Sequence, residues 1–204
     1  MNKKNYSAIV FDLGKVLIPF DYSPAINKLN QIERGLGNRF IEFYKSNYHF
    51  HRDFERGNIS ENEFVSKMLE VVDYKIDAET FKKYYADIFS VNEDVISLLP
   101  ILKNDYRLFL LSNTDSIHQK YGWLKYEFLK YFDELILSYE VGSVKPEEKI
   151  YRAVEEASGL PSEKHFYIDD IQEYVDTAIK LGWDAVQFVD YQKLVDDLKS
   201  RNII

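Results

Sequence analysis

The stretch Ala8-Ile9-Val10-Phe11-Asp12-Leu13-Gly14-Lys15-Val16-Leu17 decides how this chain is read. An apolar run of strand length ends at a carboxylate, with a glycine two residues further on. A strand buried on both faces of a parallel sheet has this unbroken apolar character. Asp12 is then delivered to the carboxyl end of the strand, where open α/β sheets place their ligands. Taken alone, an Asp with a nearby Gly equally suits a turn or a helix cap.

Three later stretches repeat the arrangement with different chemistry. Leu108-Phe109-Leu110-Leu111 runs into Ser112-Asn113-Thr114, Val144 precedes Lys145-Pro146, and Phe166-Tyr167-Ile168 runs into Asp169-Asp170. A carboxylate, a hydroxyl with an amide, an ammonium and a carboxylate pair make a complete set for phosphate chemistry. A phosphoryl group must be screened, positioned and met by a nucleophile.

Working outward, the first strand is expected over Ser7 to Phe11, with Lys15 to Pro19 as a short extended segment. From Ser23 to about Phe89 the apolar residues recur at helical spacing, for example Phe64, Val65, Met68, Leu69 and Val72, and no strand is readable among them. Ser60 and Glu63 fit a capping box at the start of one of these helices, flanked by Ile59 and Phe64 at staple positions. From Asn92 onward helix and strand alternate. Strands are expected at Arg107 to Leu111, Glu134 to Leu137, Phe166 to Ile168 and Ala185 to Val189. Helices are expected from Asn92, after Thr114, from Pro146 to Ser158, up to Leu181-Gly182 and from Tyr191. Such alternation implies a parallel sheet covered on both faces, and right-handed crossovers put the four motifs along one edge of it.

With these four motifs in this order across nearly its whole length, the sequence resembles the haloacid dehalogenase superfamily. The nearest likeness is to its helical-capped sugar-phosphatase branch, that of the glucose-1-phosphate phosphatases. Lys145-Pro146-Glu147 with Tyr151 five residues beyond Pro146, and Ile168-Asp169-Asp170 ahead of a helix, carry the likeness. It implies an α/β fold with a Rossmann-like doubly wound parallel sheet as core, residues 1–19 and 90–204, and an all-helical cap inserted after the first strand, residues 20–89.

The resemblance also implies roles. Asp12 would be the nucleophile, taking the phosphoryl group as an aspartyl-phosphate, and Lys145 would be both catalytic and substrate-binding. Ser112 and Asn113 would bind the phosphate. Mg2+ would be held by Asp12, the main-chain carbonyl of Gly14, Asp169 and Asp170, with one of the last two binding directly and the other through water. The cap would choose the substrate, and Tyr48-His49-Phe50-His51-Arg52 is its candidate pocket face, weighed against an ordinary helix surface. The implied activity is a magnesium-dependent phosphatase acting on a small phosphorylated metabolite such as a sugar phosphate. A 2-haloacid dehalogenase using the same Asp, and a catalytically impaired phosphate-binding protein, are the alternatives.

Two positions depart from the family pattern. Many phosphatases of the superfamily carry a second Asp two residues after the nucleophile, as general acid and base, and here Gly14 has no proton to give. General acid–base help is worth ~100- to 10,000-fold, so its loss favours better leaving groups, such as the anomeric oxygen of a sugar 1-phosphate, or demands a substitute from the cap. Relatives often have Asn after the Asp pair where this chain has Tyr174.

Bulk properties narrow the classes further. A net charge of -8 argues against nucleic acid or an anionic membrane as the main partner. The absence of cysteine excludes disulfides, thiol nucleophiles and thiolate-bound zinc. The longest apolar runs are only strand length, so no transmembrane helix is expected. Met1 to Asn5 lead straight into the first strand without room for a signal peptide, which makes a cytoplasmic protein the expectation. Oligomeric state is not readable.

Overall fold

In a computed structural model of the protein, residues 5–204 are described; Met1 to Lys4, part of the stretch judged too short for a signal peptide, lie outside them. The sheet has five strands: β1 (Ala8–Phe11), β2 (Arg107–Ser112), β3 (Glu134–Leu137), β4 (His165–Asp169) and β5 (Asp184–Gln187). All neighbours are parallel and their order is β3-β2-β1-β4-β5. The chain grows from β1 first to one side and then to the other. Its switch point therefore lies at β1, between β2 and β4, where a crevice opens at the carboxyl ends.

Period-two alternation assigns the central strand to two cores. Ile9 and Phe11 face one side with Leu108, Leu110, Phe166 and Ile168. Ala8 and Val10 face the other with Phe109, Leu111 and Tyr167. The first face is covered by α6 (Glu93–Ile96), α7 (Leu99–Lys103) and α11 (Tyr191–Ser200), and the second by α9 (Glu148–Ser158) and α10 (Gln172–Lys180). These labels follow α1 (Ser23–Ile32), α2 (Leu36–Ser46), α3 (Tyr48–Glu55), α4 (Glu61–Val71) and α5 (Ala78–Ala86), with α8 (Ser138–Val141) after β3. The α/β doubly wound fold is therefore the one expected.

The helices α1 to α5 bury a third cluster of their own, including Phe40, Phe54, Phe64, Met68, Phe81 and Tyr85, and Ile117 joins it from the segment after β2. The capping box at the start of α4 is complete: the Glu63 amide donates to Ser60 Oγ, and the Ser60 amide donates to a Glu63 carboxylate oxygen. Gly37 lets α2 cross α1 closely, since a Cβ there would lie 2.2 Å from the Ile26 carbonyl oxygen.

Some expected elements differ. Residues 15–17 form a turn where an extended segment was expected: the Leu17 and Ile18 amides both donate to the Leu13 carbonyl, and Gly14 bridges to Ile18. The helix expected from Asn92 is two short helices, with Pro100 in the first turn of the second, because proline is favoured in the first helical turn and unfavourable further in. The helix expected from Pro146 starts at Glu148. The Glu147 amide first closes a turn onto the Val144 carbonyl, and the Lys145-Pro146 peptide is cis.

Candidate active site

The crevice at the switch point gathers the four motifs. Lys145 is buried, and its Nζ lies 2.6 Å from Asp12 Oδ1, 2.7 Å from Asp169 Oδ2 and 3.1 Å from the Leu111 carbonyl. Three acceptors thus use its three protons. Although burial favours the neutral amine, Asp12 and Asp169 outweigh it and hold the ammonium above the usual lysine range.

Asp12 is in the opposite position. Burial raises its pKa, Lys145 offsets part of the rise, and Asp169 adds to it, leaving the carboxyl pushed up to about 8. Asp170 is raised in the same sense by burial and by Asp169, less what Lys15 and Lys145 return. Three carboxylates gather around one buried ammonium, which pairs with Asp12 and Asp169, while the third, Asp170, lies 3.8 Å from the largely exposed Lys15.

The two acids of the pair are not equivalent. Asp169 is fully buried and spoken for: Oδ2 accepts from Lys145 and from the Tyr167 hydroxyl, and Oδ1 accepts from the Ile171 amide. Asp170 is partly exposed and lines the crevice. Asp12, Asp169 and Asp170 still offer carboxylate oxygens within 4.8 Å of one another. An oxygen donor set with excess negative charge suits a hard divalent cation such as magnesium.

Asn113 is engaged with the main chain. Its side chain grips the Lys145 backbone from both sides, donating to the carbonyl at 3.2 Å and accepting from the amide at 2.7 Å. Its amide also reaches the Tyr174 hydroxyl at 3.4 Å, and the Tyr174 ring lies 5.2 Å from Lys145 Nζ. Tyr174 therefore stands in the support of Lys145. Ser112 lines the crevice, whereas the Thr114 amide donates to Ser138 Oγ.

The helical insert closes the other side. Arg52 of α3 donates to the Lys145 carbonyl and to the Tyr174 hydroxyl, tying the insert to the motif loops. Of the five residues singled out in Tyr48 to Arg52, Tyr48, His51 and Arg52 line the crevice. Phe50 stacks on Phe64 inside the insert and His49 is exposed.

Sequence reasoning passed over Tyr44, Glu55 and His118 as crevice residues, and Asp115 behind them. Asp115 Oδ1 accepts from the Ile117 and His118 amides and so caps the helical turn at residues 116–117 that leads into a wide π-helical segment, His118–Trp123. Its Oδ2 meets His118 Nδ1 at 2.9 Å and the Tyr85 hydroxyl at 3.1 Å. Burial alone would raise the Asp115 pKa, but His118 and then His51 hold it well below the carboxylate range. The spacing Asp115-x-x-His118 was the one available signal, and it is weak.

Residues 6–182 match the haloacid dehalogenase-like hydrolase family. The chain belongs to that family and is a hydrolase of it. It is similar to a D-ribitol-5-phosphate phosphatase of Bacteroides thetaiotaomicron, 27% identical over 191 residues that span 88% of this chain and 90% of that protein. It is also similar to the crystal structure of a family enzyme from Bacteroides thetaiotaomicron in complex with magnesium and inorganic phosphate, with TM-score 0.78, 27% identity, and coverage of 93% of this chain and 98% of that one. An L-2-haloacid dehalogenase from Xanthobacter autotrophicus shares the fold at TM-score 0.61 and 18% identity, over 98% of this chain and 84% of that one. Among the described residues no helix is long and apolar enough to cross a membrane.

Proposed function

We propose that this protein is a magnesium-dependent phosphatase that hydrolyses a small phosphorylated metabolite through an aspartyl-phosphate on Asp12. The observation that carries the reading is the cluster in which buried Lys145 pairs with Asp12 and Asp169 while Asp170 brings a third carboxylate within 4.8 Å of theirs. Such a cluster is short of positive charge until a divalent cation binds. The similarity to a pentitol-phosphate phosphatase supports a phosphorylated polyol or sugar as substrate.

Asp12, the Gly14 carbonyl and Asp170 would hold the ion, and Asp169 would contribute through water. Bound there, magnesium supplies charge that screens the phosphoryl oxygens and the nucleophile from one another. Asp12 forms the new oxygen–phosphorus bond while the ester oxygen departs with the bonding pair. Water then cleaves the acyl phosphate and restores the carboxylate. Lys145 holds Asp12 in place and offers its charge beside the phosphate. Asn113 and Tyr174 act on Lys145, and Ser112 faces the phosphate. Residues 20–89 serve as the cap over residues 1–19 and 90–204. Because Gly14 brings no carboxyl, the departing oxygen must be stable as an alkoxide or take its proton from elsewhere in the crevice.

The test is release of inorganic phosphate from sugar, polyol, aryl and acyl phosphates, with magnesium and with chelator. Magnesium-dependent release that is lost in Asp12→Asn supports the reading. Turnover retained by that variant refutes the mechanism, and chloride release from a 2-haloacid without added metal would make the protein a dehalogenase.

A further inference from the structure

Among the described residues, four buried side-chain polar atoms have no hydrogen-bond partner: His51 Nε2, Glu55 Oε2, His118 Nε2 and Asp197 Oδ2. Three of the four belong to residues lining the crevice that holds Asp12. An unpaired buried polar atom is costly, and native proteins keep few of them. Their gathering in one place, 4%, 8% and 6% exposed for His51, Glu55 and His118, points to a ligand that completes them.

The local chemistry says what kind of ligand. Asp115 takes up His118 Nδ1, so His118 presents its other nitrogen. His51 Nε2 stands 3.7 Å from Asp115, beyond a good hydrogen bond, and its Nδ1 is 3.3 Å from the Tyr44 hydroxyl and 4.0 Å from Glu55 Oε2. Glu55 Oε2 is 3.5 Å from Arg52, its nearest cation. Imidazole nitrogens beside a carboxylate acceptor ask for groups that both donate and accept, which is the property of a hydroxyl. The carboxylate also repels a second anion. Phe20, Tyr22, Phe89 and Trp123 line the same crevice and suit the carbon chain.

We infer that His51, Glu55 and His118 form a hydroxyl-reading subsite, selecting phosphate monoesters whose tail is uncharged and polyhydroxylated and rejecting tails that are apolar or carry a second acid. This rests on the phosphatase reading, narrows its substrates to those whose tail carries hydroxyls and no second acid, and names the residues that set the choice. Asp115 and Tyr44 are positioning residues for the two imidazoles.

The test uses the wild-type protein with magnesium on a hexitol 6-phosphate, the aldonate 6-phosphate of the same length, n-hexyl phosphate and p-nitrophenyl phosphate. The expected kcat/KM for the hexitol ester exceeds that for the aldonate and alkyl esters by at least tenfold. In Glu55→Gln the preference for the hexitol over the aldonate ester falls at least fivefold. Equal kcat/KM for the hexitol, aldonate and alkyl esters overturns the subsite and leaves the phosphatase intact. No phosphate from any substrate, p-nitrophenyl phosphate included, sinks both. A transition metal retained one per chain by the wild type and lost in His118→Ala also overturns it, because the imidazoles would then be metal ligands. The substrate series requires no variant to fold.

Discussion

Replacing Asp12 with Asn should make the metal-free protein more stable while abolishing turnover. The Asp12 carboxyl is pushed from an ordinary value of 3.8 up to about 8, by burial first and by Asp169 after the offset from Lys145. A raised value means that the native state holds a proton which the unfolded chain releases. Stability from this group is therefore fully present below the unfolded value and is lost as pH rises towards the folded one. At pH 7 the interval above the unfolded value is about three pH units. At ~1.4 kcal/mol per unit this is a penalty of about 4 kcal/mol that a neutral amide does not carry. The weaker attraction of the amide to Lys145 trims the gain, so we expect Asp12→Asn to stabilise the protein by about 2–4 kcal/mol at pH 7 and hardly at all at pH 4. Urea unfolding in chelator at several pH values reads this directly, and magnesium should narrow the difference by stabilising the wild type. A variant that is less stable than the wild type at pH 7, or whose difference does not change with pH, would show that Lys145 already balances Asp12 and refute the argument.

The two acids of the pair should separate in the same way as their surroundings. Asp169→Asn removes one of the two carboxylates on buried Lys145 and disturbs the buried hydrogen bonds to Tyr167 and the Ile171 amide, and should cost about 1–3 kcal/mol in urea unfolding, whereas Asp170→Asn should change stability by less than about 1 kcal/mol. Asp170→Asn should nevertheless lower magnesium affinity at least tenfold by calorimetry; equal effects of the two variants on binding would contradict their assignment. Burial lowers the His165 pKa, and the ring stacks on Trp183. Its stability contribution should be present above the unfolded value of about 6.5 and lost as pH falls through the lower folded one. His165→Asn should accordingly flatten the fall in urea midpoint between pH 7 and pH 5. Gly37→Ala would set a Cβ against the Ile26 carbonyl where α1 and α2 cross. Overpacking of this kind costs about 1–3 kcal/mol, and an unchanged melting temperature would mean that the two helices separate freely.

The sequence alone determined the sheet and the identity of the motif loops. Strand Ala8–Phe11 is apolar on both faces, and a run of that kind is legible because the side chains of a strand alternate in direction wherever the strand ends up. The insert was equally legible from its helical spacing, as was the start of α4, since both the repeat and the capping box lie within a few residues. Asp12, Ser112, Asp169 and Asp170 could be named because each stands at or just past the end of an apolar strand that carries it to the same edge of the sheet, and Lys145 because of the Lys-Pro pair in which it stands.

Tertiary structure decided what those residues face. Nothing in Ile168-Asp169-Asp170 says that one acid is enclosed by Lys145, Tyr167 and the Ile171 amide while its neighbour opens to the crevice. Asn113 read as a phosphate ligand, and the fold turns it onto the Lys145 backbone 32 positions away. The far wall was hidden for the same reason. His51 and Glu55 lie one turn apart on α3, but His51 meets Asp115 and His118 only because the segment after β2 folds beneath the insert. Periodicity and capping are properties of neighbouring residues, and a sequence displays them directly. Which charge meets which across more than 60 positions is fixed by crossovers and packing, and that is a property of the folded chain alone.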